Sequence, residues 1–204
     1  MFSITALWRP TQPRIRGGVH PEPRKEATSG KKIDRRLPMP KLLYLSLLQH
    51  VGQPAEPIVR VGDRVLKGQI IAVGQGAISA AIHAPTSGTI FDIMEYPATH
   101  PSALPTPTIL LEPDGDDQWV EGLKESDPFA LSAEEISRRV AEAGVVGMGG
   151  AAFPSAVKLN LGRKTQIKTL LINGGECEPY LTCDDRLMRE RSKEIIEGLS
   201  LIHI

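Results

Sequence analysis

Two segments concentrate residue types suited to a phosphate-bearing, planar ligand. The first is G-M-G-G-A-A-F-P-S-A-V-K, Gly147 to Lys158. Glycines at 147, 149 and 150 let the backbone come close to a ligand with its amides exposed, and the N-terminus of the helix that follows favours an anion. Lys158 adds a point charge one turn into that helix, and Phe153 offers an aromatic face for a planar ring. A plain connector between helices would carry the same glycines. The second segment, L-L-I-N-G-G-E-C-E-P-Y, ends at Tyr180. Its apolar lead-in, Ile167 to Ile172, reads as a buried strand. Asn173, Glu176 and Glu178 then stand on a Gly-Gly turn at the strand's C-terminal end, where open α/β sheets place ligand groups. Carboxylates there can accept hydrogen bonds from ribose hydroxyls; a solvated acidic turn is the plainer alternative.

The elements around these segments follow a helix, loop, helix, strand, loop, helix order, which is the grammar of an α/β layer fold. Ser132-Ala-Glu-Glu135 opens a helix through Ala143, with Ser132 as cap, Glu135 at the capping-box position, Ile136 and Val140 on one face, and Gly144 as the stop. A second helix is expected from about Pro154 to Leu161, and a last one, capped by Asp184 or Asp185, through Met188, Ile195 and Ile196. A single strand cannot make a doubly wound sheet, so this α/β unit, residues 130–204, reads as incomplete and the chain as part of a longer protein.

Upstream the pattern is different. From 41 to about 115, short β-type runs alternate with turn residues: Leu42 to Leu47, Ile58 to Val61, Arg64 to Leu66, Gln69 to Val73, Ile78 to His83, Pro85 to Gly88, Thr89 to Met94 and Thr108 to Leu111. Many short strands at close spacing indicate a compact barrel or sandwich. Asp114 to Asp117 is an acidic break after it, with a boundary near 115–130. Residues 1–40, rich in Pro, Gly, Lys and Arg, show no helical or strand period and read as an extended basic arm. Such an arm is either a solvated leader or a wrap around a neighbouring subunit.

Composition excludes several classes. The 204 residues are 41% apolar, and 24 Lys and Arg balance 24 Asp and Glu. No global basic field exists to gather nucleic acid or anionic lipid. The longest apolar run, Leu42 to Leu48, is far short of the ~20 residues a membrane-spanning helix requires, and the N-terminal stretch is too brief for a signal-peptide core. Cys177 and Cys183 are the only cysteines, in a C-x5-C spacing that fits neither a zinc knuckle nor a ferredoxin cluster. No metal site is expected.

V-R-V-G-D-R-V-L-K-G-Q at Val59 to Gln69, followed by H-A-P-T-S-G-T-I at His83 to Ile90, resembles the biotinyl/lipoyl carrier fold, a small barrel-sandwich. The resemblance implies tight turns at Gly62-Asp63 and Ser87-Gly88, with Gly supplying positive φ and Asp or Ser capping turn amides. A carrier presents a lysine between these halves as the amine to be acylated. Here that segment is Ala72 to Ser79 without one, so the barrel reads as structural.

The two chemistry-bearing segments together are similar to the flavin site of the flavoprotein subunit of respiratory complex I (G-x-G-G-A-G-F-P-x-x-x-K, then N-x-x-E-x-E-P). They are more similar still to the C subunit of the Rnf electron transport complex. That second resemblance also takes in G-G-V-H-P at Gly17 to Pro21, the barrel segment, Pro113 to Gly115, and D-D-R-L-M-R-E at Asp184 to Glu190. It implies FMN lined by Gly147, Gly149, Gly150, Lys158, Asn173 and Glu176, and NADH on the side of Phe153 and Glu178. Ala152 stands where the family usually has glycine. Further implications are 4Fe-4S clusters in a C-terminal part outside this sequence, partner subunits of an ion-translocating complex, and a peripheral position on the cytoplasmic side of a bacterial inner membrane. The related A subunit of sodium-pumping NADH:quinone reductase, a non-catalytic docking protein in this reading, is the alternative.

The expected fold is therefore mixed: a β barrel-sandwich followed by an incomplete Rossmann-like α/β FMN/NADH-binding domain.

Overall fold

The computed structural model describes residues 19, 21–34, 37–122, 127–148, 150, 152–162 and 169–202. Seven strands build the β region: β1 Leu43–Ser46, β2 Glu56–Pro57, β3 Arg64–Val65, β4 Ile70–Val73, β5 Ile82–His83, β6 Gly88–Pro97 and β7 Pro105–Pro113. They form two antiparallel sheets, ordered β1-β7-β6-β3 and β2-β4-β5. Ile71, Ile90, Ile109, Leu111 and Val65 are fully buried between the sheets. Burying each such side chain stabilises by roughly 1.5–3 kcal/mol, which is why the alternating β-branched runs settle as a sandwich.

The expected strands are present with shifted bounds. β2 falls at Glu56–Pro57 rather than 58–61, although the Ile58 amide still donates to the Ile71 carbonyl. Of the Pro85 to Gly88 run only Gly88 joins a strand.

The two glycine turns work for different reasons. Gly62 has φ +90°, and the Asp63 carboxylate accepts the Arg60 amide at 2.7 Å, as the sequence implied. Gly88 needs no positive φ. A Cβ there would lie 2.2 Å from the Glu112 carbonyl oxygen, so glycine is required for the close approach of β6 and β7. Ser87 caps no turn amide of its own. Its hydroxyl donates to Asp114 (2.7 Å) and accepts the Gln118 amide (2.9 Å).

Residues 114–120, read as an acidic break, are thus strapped across the barrel. Thr86 donates to Asp117 at 2.9 Å, Lys67 pairs with Asp117 at 2.6 Å, and backbone bonds between Lys67 and the Gln118 and Val120 positions extend the strap as a parallel bridge. Ser87 and Lys67, respectively, hold the Asp114 and Asp117 carboxyls below the usual carboxylate range.

Beyond the barrel come a 3-10 turn at Pro128–Ala130 and helices. A one-turn helix, α1 Glu26–Ser29, lies in the N-terminal arm, where no helical period was expected. The others are α2 Ala133–Glu142, α3 Ser155–Gly162, α4 Cys183–Glu190 and α5 Ser192–Ile202. Ser132 caps α2 by accepting the Glu135 amide at 3.2 Å. Glu135 does not close the reciprocal half of a capping box. Its carboxylate turns to Arg138 and Arg139, which hold its pKa down to about 2.

α2 packs on α3 through small residues, Ser137 and Ala156, with the Ser137 hydroxyl bonded to Asn160 at 3.0 Å. Gly144, at φ +64°, ends α2 against β5: a Cβ there would lie 2.3 Å from the Ala81 carbonyl oxygen.

Two expectations for the α/β part fail. Thr169–Ile172, the described part of the expected strand, is not a strand, and Leu170, Leu171 and Ile172 are 41%, 86% and 53% exposed. A strand is defined by ladder bonds to a neighbour, and no described strand pairs with it. The last helix is two, divided at Arg191, and neither Asp184 nor Asp185 caps it; Thr182 occupies the N-cap position without a side-chain bond.

Candidate functional site

The loop from Gly147 is pinched at its base. Val146 bridges Pro154 in antiparallel fashion, the Gly147 amide donates to the Phe153 carbonyl at 2.8 Å, and the Ser155 amide donates to Val145 at 2.9 Å. The buried Pro154 stands immediately before α3, where its missing amide is no loss. A Cβ at Gly147 would meet the Phe153 backbone only at 3.6 Å, and around Gly150 nothing lies within 4 Å. The loop therefore presents an open backbone face. Gly149 lies outside the described residues.

Lys158, exposed on α3, holds its ammonium 5.8 Å from the Phe153 ring centroid, within cation–π range. Cation and aromatic face thus meet beside the loop. The carbonyl of Ala152 accepts the Val51 amide at 3.4 Å, which ties the loop to the barrel. Ala152 itself sits at φ +43°, a left-handed conformation that glycine adopts without strain.

The second segment is a tight turn, with most of its polar groups engaged locally. The Asn173 side-chain oxygen accepts the Gly175 amide at 2.9 Å, closing an Asx turn. Glu176 is the cap that α4 lacks at Thr182. One carboxylate oxygen accepts the Asp184 amide at 2.8 Å and the Asp185 amide at 3.0 Å, and the other meets the Cys183 thiol at 3.4 Å. The Asp185 amide bond is the main cause holding the Glu176 pKa low. Among the described residues no hydrogen bond joins 147–158 to 173–179; the two segments occupy separate networks.

Glu176, Cys183 and Asp184 also bring ligand-type atoms within 4.8 Å of one another. The Glu176 carboxylate pushes the Cys183 thiol pKa up, opposing the thiolate a metal would need. The cluster reads as a helix cap. Both cysteines are free and exposed.

Residues that carry no local signal hold the Glu178 side. Lys25 in the arm donates to the carbonyls of Glu178 (2.8 Å) and Leu181 (2.7 Å), Thr28 donates to the Tyr180 carbonyl (2.6 Å), and the Tyr180 amide donates to Pro23 (2.9 Å). Further on, Glu190 accepts the Ile33 amide at 3.2 Å. The arm's described part therefore wraps its own chain. Partners 153 positions apart in sequence leave no spacing pattern to read.

Residues 13–116 match the model of the RnfC barrel-sandwich hybrid domain, which covers just over half of the 204-residue chain, and 140–204 match that of the Nuo51 FMN-binding domain. The chain belongs to the RnfC family. Similar curated proteins each carry the name of the C subunit of an ion-translocating oxidoreductase complex. The protein from Rhodobacter capsulatus is 55% identical over 98% of this chain and 38% of its own length. That of Haemophilus influenzae strain PittEE is 46% identical over 98% of this chain and 30% of its own length. The Serratia proteamaculans protein is 44% identical over 91% of this chain and 26% of its own length. The chain thus spans between about a quarter and two fifths of these relatives.

RnfC membership accounts for the architecture. The barrel-sandwich carries no acyl-accepting lysine between β4 and β5, and the matched FMN-binding region begins inside α2. Among the described residues no helix is long and apolar enough to cross a membrane.

Proposed function

We propose that this chain is part of the electron-transfer subunit of an ion-translocating oxidoreductase, in which NADH reduces FMN and electrons pass on to 4Fe-4S clusters outside these residues. The observation that carries the reading is the pinched loop at 147–154. It leaves an open backbone face at Gly150 beside Lys158 and Phe153, within a region matching an FMN-binding domain. That arrangement fits a phosphorylated planar cofactor: a space a Cβ would enter, a cation, and an aromatic face.

In this reading Gly147, Gly149 and Gly150 bring amides to the flavin nucleotide, and Lys158 neutralises its phosphate or a ring oxygen. Asn173 and Glu176 shape the facing turn, and Phe153 and Glu178 lie on the NADH side. FMN, when bound, supplies hydride acceptance and one-electron release; the protein supplies position and electrostatics. Pinning Gly147 to Phe153 fixes the cradle before ligand arrives, which lowers the ordering cost of binding. The partners are other subunits of the complex, and the place of the chain is peripheral, on the cytoplasmic side of a bacterial inner membrane.

Flavin titration of the full-length protein tests the site. Lys158→Ala removes the charge, and Gly150→Val sets a branched side chain on the open face, where a Cβ has nothing within 4 Å. Each is expected to weaken FMN binding about tenfold or more, the effect of losing one charge-assisted contact. Unchanged affinity in both variants would sink the assignment.

A further inference from the structure

We propose that Lys25, in the N-terminal arm, is a positioning residue for the nicotinamide side of the site, holding the Glu178–Leu181 turn from across the chain; this rests on the reading of the site given above. Each of its contacts falls on the main chain of that turn. The Lys25 ammonium spans it, bonding the Glu178 carbonyl at one end and the Leu181 carbonyl at the other, at 2.8 and 2.7 Å. Between them, Tyr180 is gripped twice: Thr28 donates to its carbonyl at 2.6 Å and the Pro23 carbonyl accepts its amide at 2.9 Å.

What these bonds hold is a strained conformation. Tyr180 has φ +67°, a left-handed conformation that a residue with a Cβ keeps only when neighbours impose it. Pro179 precedes it, fixing its own φ and donating no amide bond to the turn. Internal bonding therefore leaves the turn underdetermined, and the arm supplies the missing constraint. The arm is itself organised for this. Thr28 and Ser29 return their amides to the Lys25 carbonyl, so α1 fixes the base of the lysine and the height of Thr28 together.

Charge makes Lys25 more than a tie. Two carbonyls face its ammonium, and its charge is the smallest of the causes lowering the Glu176 pKa, after the Asp185 amide, the Cys183 thiol and the Asp184 amide. A neutral side chain would lose both the spanning bonds and the field. Arginine, which is also cationic and donates in several directions, should keep most of each.

Hydrogen exchange and steady-state kinetics on the full-length protein test this together, with ferricyanide as electron acceptor. Lys25→Ala is expected to speed exchange at the Tyr180 amide and raise the KM for NADH, each about tenfold, as loss of a charged hydrogen-bond donor implies. Flavin content and kcat should stay within about twofold, because the glycine loop lies in a separate network. Lys25→Arg should restore most of the KM, and Thr28→Val should produce a smaller shift in the same direction. Unchanged exchange in Lys25→Ala would overturn the clamp. Faster exchange with an unchanged KM would show a tie that positions nothing and would overturn the proposal. An unaltered protein that holds no FMN would instead overturn the functional reading, and the exchange comparison would still decide the clamp.

Discussion

The barrel and the helical region that follows it hold their shape by opposite means. In the barrel, twelve residues from Leu45 to Leu111 form one buried cluster, and the buried Thr86 and Ser87 side chains are satisfied by Asp117 and Asp114. Among the described residues of the helical region the buried side chains are few and small or polar, Ser137, Pro154, Ala156 and Thr182, while Met148, Leu171 and Ile196 are 97%, 86% and 60% exposed. There, caps, Asx turns and the reach of the arm supply the order. A ligand loop on such ground can be re-aimed by a few polar contacts, whereas the barrel can change only by repacking.

Core truncation should break this contrast most sharply. Ile109→Ala in the barrel is expected to cost about 2–5 kcal/mol in denaturant unfolding of the full-length protein. Ile196→Ala, on an exposed face, should stay within about 0.5 kcal/mol. Equal losses would mean that the helical region is as tightly packed as the barrel.

A smaller effect of opposite sign is expected at the glycine loop. Ala152→Gly relieves a left-handed alanine at φ +43° and should stabilise by roughly 0.5–1 kcal/mol, part of the relief being offset by glycine's larger unfolded-state entropy. A destabilised variant would show that the Ala152 methyl makes packing contacts that outweigh the strain.

The smallest effects concern acid. Glu176, Asp114 and Asp117 have folded pKa values below their ordinary ones. Each therefore contributes stability that is complete above its unfolded pKa and is lost as pH falls through the folded one. Amide protection in the first turn of α4 should decline below about pH 4, the ordinary carboxylate range. In Glu176→Gln that decline should be absent, protection being low throughout; an unchanged decline would show that Glu176 is not the cap.

The sequence by itself determined what depends on near neighbours. Alternating β-branched runs specified a sandwich, Ser132 and Gly144 bounded α2, and the Gly147 to Lys158 spacing placed a cation and an aromatic beside an open loop. These follow from periods of two and 3.6 residues and from the φ that only certain residues accept. Only the tertiary structure decided the rest. Gly88 is needed for the approach of Glu112, 24 positions on. The acidic break is a strap because Thr86, Ser87 and Lys67 lie beneath it. Glu176 caps a helix beginning seven residues later, no described strand pairs with Thr169–Ile172, and the arm grips a turn about 150 residues away. Contacts between distant positions leave no periodic trace along the chain; they exist only once the fold has brought the partners together.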